Sequence, residues 1–135
     1  MAAFTDYSEA ALINATLRGV TFTSPATVWV SAHTAAPTDA APSTGESGGA
    51  SYARVAITST TAAWSAPGAG GATSNNAAIT FPSAGGSWGT ITHIAIWDAA
   101  TNGNALYHGA LAASKAVDTG DTLQIAAGEL YITLA

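Results

Sequence analysis

A serine, an aspartate and a histidine follow one another along this chain in an order that some hydrolases use. Residues 45–49, "GESGG", match the pattern G-x-S-x-G around a nucleophilic serine, and Asp98 and His108 follow Ser47. That motif works because a sharp strand-to-helix turn lifts the serine above a parallel sheet. Here the segment lies in a proline-rich loop and runs directly into the strand-like residues "SYARVAI". We therefore predict no catalytic residue and no enzymatic activity.

Three histidines are the next candidates, because three imidazoles and a water molecule form a known type of zinc site. His33, His93 and His108 each lie in a segment with strand-like alternation. The spacings H-x-H and H-x₃-H are absent, and no acidic partner stands near them in the sequence. We therefore predict no metal site and no cofactor, and expect half-buried histidines with one ring nitrogen bonded to the backbone.

Acidic pairs and tryptophans raise the possibility of sugar chemistry. The acids near the predicted strands fall at strand ends or turns, where aspartate usually bonds its own backbone. They are Asp98, Asp118 and Asp121. The tryptophans could form a stacking platform for sugars or belong to the core, and the strand positions of Trp29 and Trp97 favour the core. The other two are Trp64 and Trp88.

Arg54 is the most distinctive polar residue, because the chain has only three cations, the others being Arg18 and Lys115. It shares a predicted strand face with Tyr52, which allows ring stacking or an ion pair with a carboxylate. A contact to a neighbouring subunit and a pair within the fold both remain open. Just upstream, residues 34–50 form a long loop with two prolines, and such loops are usually functional or disordered. We predict partner contacts in this region at Pro37, Asp39, Pro42, Glu46, Tyr52 and Arg54.

The chain carries unusually little charge. Charged residues make up 8% of it, where about 25% is ordinary, and the net charge is −5. Nucleic-acid binding requires clustered Lys and Arg side chains, so we expect no nucleic-acid partner. Either neighbouring subunits cover much of the surface, or Ser, Thr and Asn provide the solvation. We favour the assembly, since solvated monomers normally keep charges interspersed.

Length and apolar patterning predict a single domain over residues 1–135. The chain has no cysteine, which excludes disulfides and thiolate metal sites. No apolar run approaches the roughly 20 residues that a bilayer requires, so we expect no membrane partner. The first residues, "MAAFTDYSEAAL", lack the regions of a signal peptide, and we expect an intracellular protein when it is made.

The periodicity predicts a helix over about residues 6–18 and a β-sandwich over about 26–135. The helix starts at "DYSE", a capping box with Asp6 and Glu9, and ends before Gly19. Its narrow apolar stripe indicates that the helix lies on another surface and is not buried on all sides. The stripe consists of Leu12, Ile13, Thr16, Leu17 and Val20.

About seven short strands separated by turn residues then favour a mainly β fold, an antiparallel sandwich or jelly-roll-like domain. In "ATVWVSAH", Val28, Val30 and Ala32 alternate with Trp29, Ser31 and His33. "SYARVAITST" alternates likewise, and "NG" at 102–103 predicts a hairpin turn. The glycine-rich residues 65–76 are expected to form a flexible tip.

Several segments together resemble a family of small phage virion proteins often labelled tail fibre protein. They are "LRGVTFTSPATVWVSAHTAAPTDA", "GGASYARVAI", "TSNNAAITFP", "WGTITHIAIWDAA" and "ALYHGALAASKAVDTGDTLQIAAGEL", in this order and over nearly the whole chain. The family pattern includes His33 and His93 but usually has an aromatic or small residue at position 108. The resemblance implies a virion structural protein. Because position 108 departs from the family pattern, the resemblance does not imply a shared three-histidine metal site.

The resemblance and the composition lead to two functional hypotheses. The first is a capsid decoration (cement) protein that forms a homotrimer and stabilises the head by bridging major capsid subunits. The alternative is a tail-fibre or tail-tip component involved in host attachment. Both place the protein in the virion, on the outer capsid surface or the tail, and in the host cytoplasm during assembly. Its expected partners are its own copies and the major capsid protein or other virion proteins.

Overall fold

Nine strands and one helix occur in residues 2–134, the part of the chain that this computed structural model describes. The elements are β1 (Ala2–Phe4), α1 (Asp6–Leu17), β2 (Thr27–His33), β3 (Val55–Thr58), β4 (Ala72–Ser74), β5 (Ile79–Thr80), β6 (Gly89–Trp97), β7 (Ala105–Val117), β8 (Gln124–Ile125) and β9 (Tyr131–Thr133). Seven strands form one sheet in the order β3-β2-β6-β7-β1-β9-β4, and β5 pairs with β8 in a second, small sheet. All pairs are antiparallel except β1 with β9. The predicted mainly β, antiparallel fold with one short helix is confirmed.

The main core lies between the large sheet and the segments that carry the small sheet. Phe81 and Leu123, next to β5 and β8, join one apolar cluster with Val30 of β2 and with Ile94 and Ile96 of β6. The alternation predicted for β2 is confirmed. Its valines enter this cluster, whereas Trp29 packs with a second cluster on the opposite face. The two layers thus give the large sheet one face that is covered by apolar side chains.

Residues 34–50 cover part of the second face. The loop closes on itself where His33 bridges Glu46 across an antiparallel pair, and the amide of Thr34 donates to the carbonyl oxygen of Gly45 (2.8 Å). In its middle, Asp39 contacts His108 of β7, with 2.6 Å between Oδ1 and Nε2. The loop in which we predicted partner contacts is therefore ordered and folded back on its own sheet.

The helix begins one residue earlier than its capping pattern indicated. Thr5, not Asp6, is the N-cap, and its side chain accepts a hydrogen bond from the amide of Ser8. Thr5 is also tied to β7, since its amide donates to the carbonyl oxygen of Leu106 (3.2 Å). The predicted end is confirmed: Gly19 has φ +66°, the left-handed conformation that glycine adopts easily after a helix.

The apolar stripe of α1 does not pack on the sheet of its own chain, so the surface on which it is expected to lie stays a prediction. Ser8 is the one buried residue of α1, whereas Leu12, Ile13 and Leu17 are 48%, 54% and 80% exposed. The stripe therefore faces away from the sheet, and Val20 beyond the helix is half exposed as well. No helix within residues 2–134 combines the length and the apolarity needed to cross a bilayer.

Two further predictions need correction. Residues 65–76 are not a loose tip, because they include β4, and the buried Asn75 bonds three backbone groups. Its amide nitrogen donates to the carbonyl oxygens of Ala77 (2.8 Å) and Ala126 (3.0 Å), and its oxygen accepts from the amide of Leu130 (2.9 Å). The strand predicted from residue 52 starts only at Val55, so Tyr52 and Arg54 lie in the irregular segment before β3.

Candidate functional site

An open groove lies at the end of the large sheet where the β6–β7 hairpin turns. We name it the Trp29 groove, and its volume is about 660 Å³. Three segments form its walls: the end of the loop 34–50, the residues before β3, and the turn 98–104. The lining includes Trp29, Pro42, Ser43, Glu46, Tyr52, Arg54, Trp97, Thr101 and Asn102.

Arg54 joins these three walls. Its Nε and one terminal nitrogen donate to the two carboxylate oxygens of Glu46, at 2.7 and 2.8 Å. The other terminal nitrogen donates to the carbonyl oxygens of Ala99 (3.0 Å) and Asn102 (2.9 Å) in the turn. The guanidinium carbon lies 3.8 Å from the centre of the Trp97 ring. A two-pronged ion pair of this kind fixes orientation as well as distance.

The local pair predicted as one alternative for Arg54 is therefore present, and Tyr52 takes part in it. The Tyr52 hydroxyl donates to Oε1 of Glu46 (3.1 Å) and accepts from the amide of Ala32 in β2 (3.0 Å). Burial alone would raise the pKa of Glu46, but the hydrogen bonds and charge of Arg54 outweigh it and lower that pKa. Burial also raises the pKa of Tyr52 strongly, so its hydroxyl stays protonated.

The turn 98–104 has the backbone that the "NG" dipeptide predicted. Asn102 has φ +53° and Gly103 has φ +74°. A side chain at Gly103 would meet the Asp98 carboxylate, whose Oδ1 would lie 2.5 Å from an added Cβ. The Asp98 carboxylate accepts hydrogen bonds from the backbone and side-chain nitrogens of Asn104 (2.7 and 2.9 Å). Asp98 is thus a turn residue, as predicted.

Beneath the groove, a chain of hydrogen bonds crosses the second face of the sheet. The indole nitrogen of Trp97 donates to the hydroxyl of Ser31 (2.8 Å), which lies 2.6 Å from Nε2 of His33. Nδ1 of His33 donates to the carbonyl oxygen of Thr44 in the loop (2.8 Å). This network assigns the proton to Nδ1 in neutral His33. Burial lowers the pKa of His33, although the Thr44 carbonyl opposes the shift.

The structure brings four of the six predicted contact residues into the groove and separates the other two. Pro42 and Glu46 join Tyr52 and Arg54 in its walls. Pro37 is buried within the loop, and Asp39 lies with His108 against β7, outside the groove lining. Whether any of them contacts a partner stays a prediction.

The predicted serine–aspartate–histidine order has no counterpart in space. The hydroxyl of Ser47 accepts from the amide of Gly49 (3.4 Å), Asp98 serves its own turn, and His108 pairs with Asp39. Among residues 2–134, no three His, Cys, Asp or Glu side chains are placed to hold a metal ion. Backbone bonding of a histidine is confirmed at His33, which is fully buried rather than half-buried.

The four tryptophans differ in how deeply they are buried. Trp88 and Trp97 are buried, as the core interpretation predicted, whereas Trp29 and Trp64 remain half-buried. The sequence did not indicate a site at Ser43, Thr101 and Asn102, because they are common polar residues in two separate turn-like stretches, the loop 34–50 and the turn 98–104. The predicted hairpin turn could have indicated Thr101 and Asn102, because it places residues 98–104 next to the end of β2.

A family model described as podophage GP4 fiber I protein gp80 matches residues 3–133, almost the whole chain. None of the curated proteins matches the chain. The family match agrees with the resemblance found in the sequence, and it agrees better with the fibre hypothesis than with capsid decoration.

The buried polar network predicts a loss of stability in acid. The pKa of His33 is lower in the folded protein than its ordinary value of 6.5, so the unfolded chain takes up its proton first as the pH falls. The free energy of unfolding should therefore decrease as the pH falls below about 6.5. Glu46 adds a second decrease below about 4.5, its ordinary pKa, for the same reason.

Urea unfolding at pH 8, 6, 5 and 4 measures this dependence, and long-range ¹H–¹⁵N spectra follow the His33 ring directly. We expect the His33 titration midpoint to lie below 6.5 and the proton of the neutral ring to be on Nδ1. A His33 titration midpoint at or above 6.5, or a free energy of unfolding that is constant between pH 8 and 4, would contradict the predicted loss of stability in acid.

Proposed function

Since the chain belongs to the podophage GP4 fiber I protein gp80 family, a family of phage virion fibre proteins, we propose that it is a non-enzymatic structural subunit of the virion's tail fibres. We prefer this role to capsid decoration because the matching family is described as a fibre protein. The separation of Ser47, Asp98 and His108 supports the absence of hydrolase chemistry in the proposal.

The second part of the proposal is self-association through the outward side of α1. We define the α1 surface as Leu12, Ile13, Leu17 and Val20, each about half exposed or more. Fully burying one such side chain stabilises an interface by about 1.5–3 kcal/mol. Large apolar side chains exposed close together on a soluble protein commonly mark contacts with other proteins. A fibre requires many copies of few chains, so a second copy is the partner that fits the proposal.

Low charge supports the same partner. Between Leu12 and Val20 the sequence has one charged residue, Arg18, and the nearest one before Leu12 is Glu9; the chain has only 8% charged residues in all. Two copies that meet there bring together little like charge. Repeated weak contacts between copies then act together, because each further contact within an assembly is intramolecular.

The location is tested on the virion itself. Antibodies against this chain, applied to intact particles and detected by immunogold electron microscopy, should label the tail region. Quantitative mass spectrometry of the same particles should give tens of copies or fewer for each particle. Gold spread over the head, together with hundreds of copies, would instead support a capsid decoration protein.

The α1 surface is tested by charge. The double variant Ile13→Glu/Leu17→Glu should dissociate the assembly, because burying a carboxylate without a partner costs several kcal/mol. Light scattering after size-exclusion chromatography measures the mass of each variant. Both positions are already exposed in the single chain, so the fold should be retained, as circular dichroism will show.

The matched control, Ala112→Glu/Thr119→Glu, adds the same two charges at exposed positions away from α1. It should keep the wild-type mass. A wild-type protein that is monomeric at high concentration, or an Ile13/Leu17 variant that assembles normally, would contradict the role of the α1 surface.

A further inference from the structure

We propose that the Trp29 groove binds a neutral saccharide. This inference goes beyond a structural role in the fibre, and it does not depend on the contact between copies through α1. The volume of about 660 Å³ lies within the usual range for sites that hold small ligands. The chemistry of the lining then decides which class of ligand fits.

Anionic ligands fit poorly because Arg54, the cation in the groove lining, already donates its hydrogen bonds to groups of the same chain. Arg54 gives two hydrogen bonds to Glu46 and two to carbonyl oxygens of the turn, and its face covers Trp97. The side chain of Arg54 is only 6% exposed, against 19% for Glu46. The charge that a ligand reaches first is therefore the carboxylate, which repels anions and accepts hydrogen bonds from hydroxyl groups.

Purely apolar ligands fit poorly as well, because three polar side chains of the lining are unpaired. Within residues 2–134, the side chains of Ser43, Thr101 and Asn102 make no hydrogen bond, and all three residues are exposed. Among the described residues, Arg54 alone donates to Oε2 of Glu46, and a carboxylate oxygen has room for a second hydrogen bond. Two hydroxyls, an amide and a carboxylate oxygen suit a ligand with several hydroxyl groups.

Trp29 supplies the apolar contact that such a ligand needs. It is half-buried, packs on the cluster of Ala95, Trp97 and Ala105, and contributes to the groove lining. Sugar rings have one face made mainly of C–H groups, which packs on an aromatic ring, while their hydroxyls project outward. Trp97 cannot take this part, since Arg54 lies on its ring and it is 3% exposed.

The groove is arranged for binding rather than cleavage. Cleavage of a glycosidic bond by the usual mechanism requires two carboxyl groups on opposite sides of the bond. Glu46 is the one acidic residue in the lining, and it is held as a carboxylate by Arg54. A bound saccharide should therefore be recovered unchanged.

The test uses the full chain in its natural oligomeric state. A printed array of neutral and acidic oligosaccharides identifies binders, and NMR titration with the best neutral one measures affinity. The four indole N–H signals report the contact, with the Trp29 signal assigned from Trp29→Phe. We expect the Trp29 signal to shift on titration and the oligosaccharide to remain intact.

The variant Ser43→Ala/Thr101→Ala removes two hydroxyls that make no bond within the described residues, so it should fold normally and bind at least about fivefold more weakly. The control Ser114→Ala/Thr119→Ala removes two exposed hydroxyls at the other end of the β6–β7 hairpin, which likewise have no hydrogen bond to any residue from 2 to 134, and it should bind like the wild type.

Three results would overturn the proposal. No neutral oligosaccharide binds, acidic ones bind in preference, or the Ser43/Thr101 variant binds as tightly as its control. Each of them leaves the proposed fibre role intact, because that role is decided by location on the virion and by the mass of the assembly.

Discussion

The ion pair between Arg54 and Glu46 is the contact on which the rest of the site depends. It joins three segments that share no secondary structure: the loop 34–50, the residues before β3, and the turn 98–104. Both charges are largely removed from water, so separating them would leave an uncompensated charge, which is costly. The pair therefore holds the three segments in a defined arrangement, which determines the shape of the Trp29 groove.

A second layer of polar contacts supports this connection from the sheet. The hydrogen bonds from Trp97 through Ser31 and His33 to Thr44 fix the loop over β2. Within the described residues, no buried side-chain polar atom lacks a hydrogen-bond partner. Ser31 and His33 thus hold the loop on the sheet, whereas the buried Thr5 and Asn75 anchor α1 and the segment after β4. The Trp29 groove and the α1 surface are exposed parts of this framework.

The sequence predicted the periodic parts of the fold well. The alternation of β2, the "NG" turn and the glycine after α1 all have local physical causes, and each was found where the pattern indicated. Its failures concern tertiary contacts. A capping box at Asp6 looks the same whether or not Thr5 is anchored on β7, and the stripe on α1 does not reveal which side of the helix meets the sheet.

The site was predictable only in part for the same reason. Arg54 and Tyr52 stood out because cations are rare in this chain and their spacing placed them together. Glu46 was singled out only as a residue of the long loop, and the ion pair depends on how that loop folds back. Ser43, Thr101 and Asn102 follow no sequence pattern, because what distinguishes them is that their side chains make no hydrogen bond within residues 2–134.

Hydrogen exchange tests most directly whether Arg54 holds the site together. In Arg54→Met, amide protons of the loop 34–50 and of the turn 98–104 should lose protection together, by at least about tenfold, while those of the β6–β7 ladder keep theirs. Lys115→Met, which removes an exposed cation from β7, should change neither segment. Unchanged protection of the loop and the turn in Arg54→Met would contradict the account.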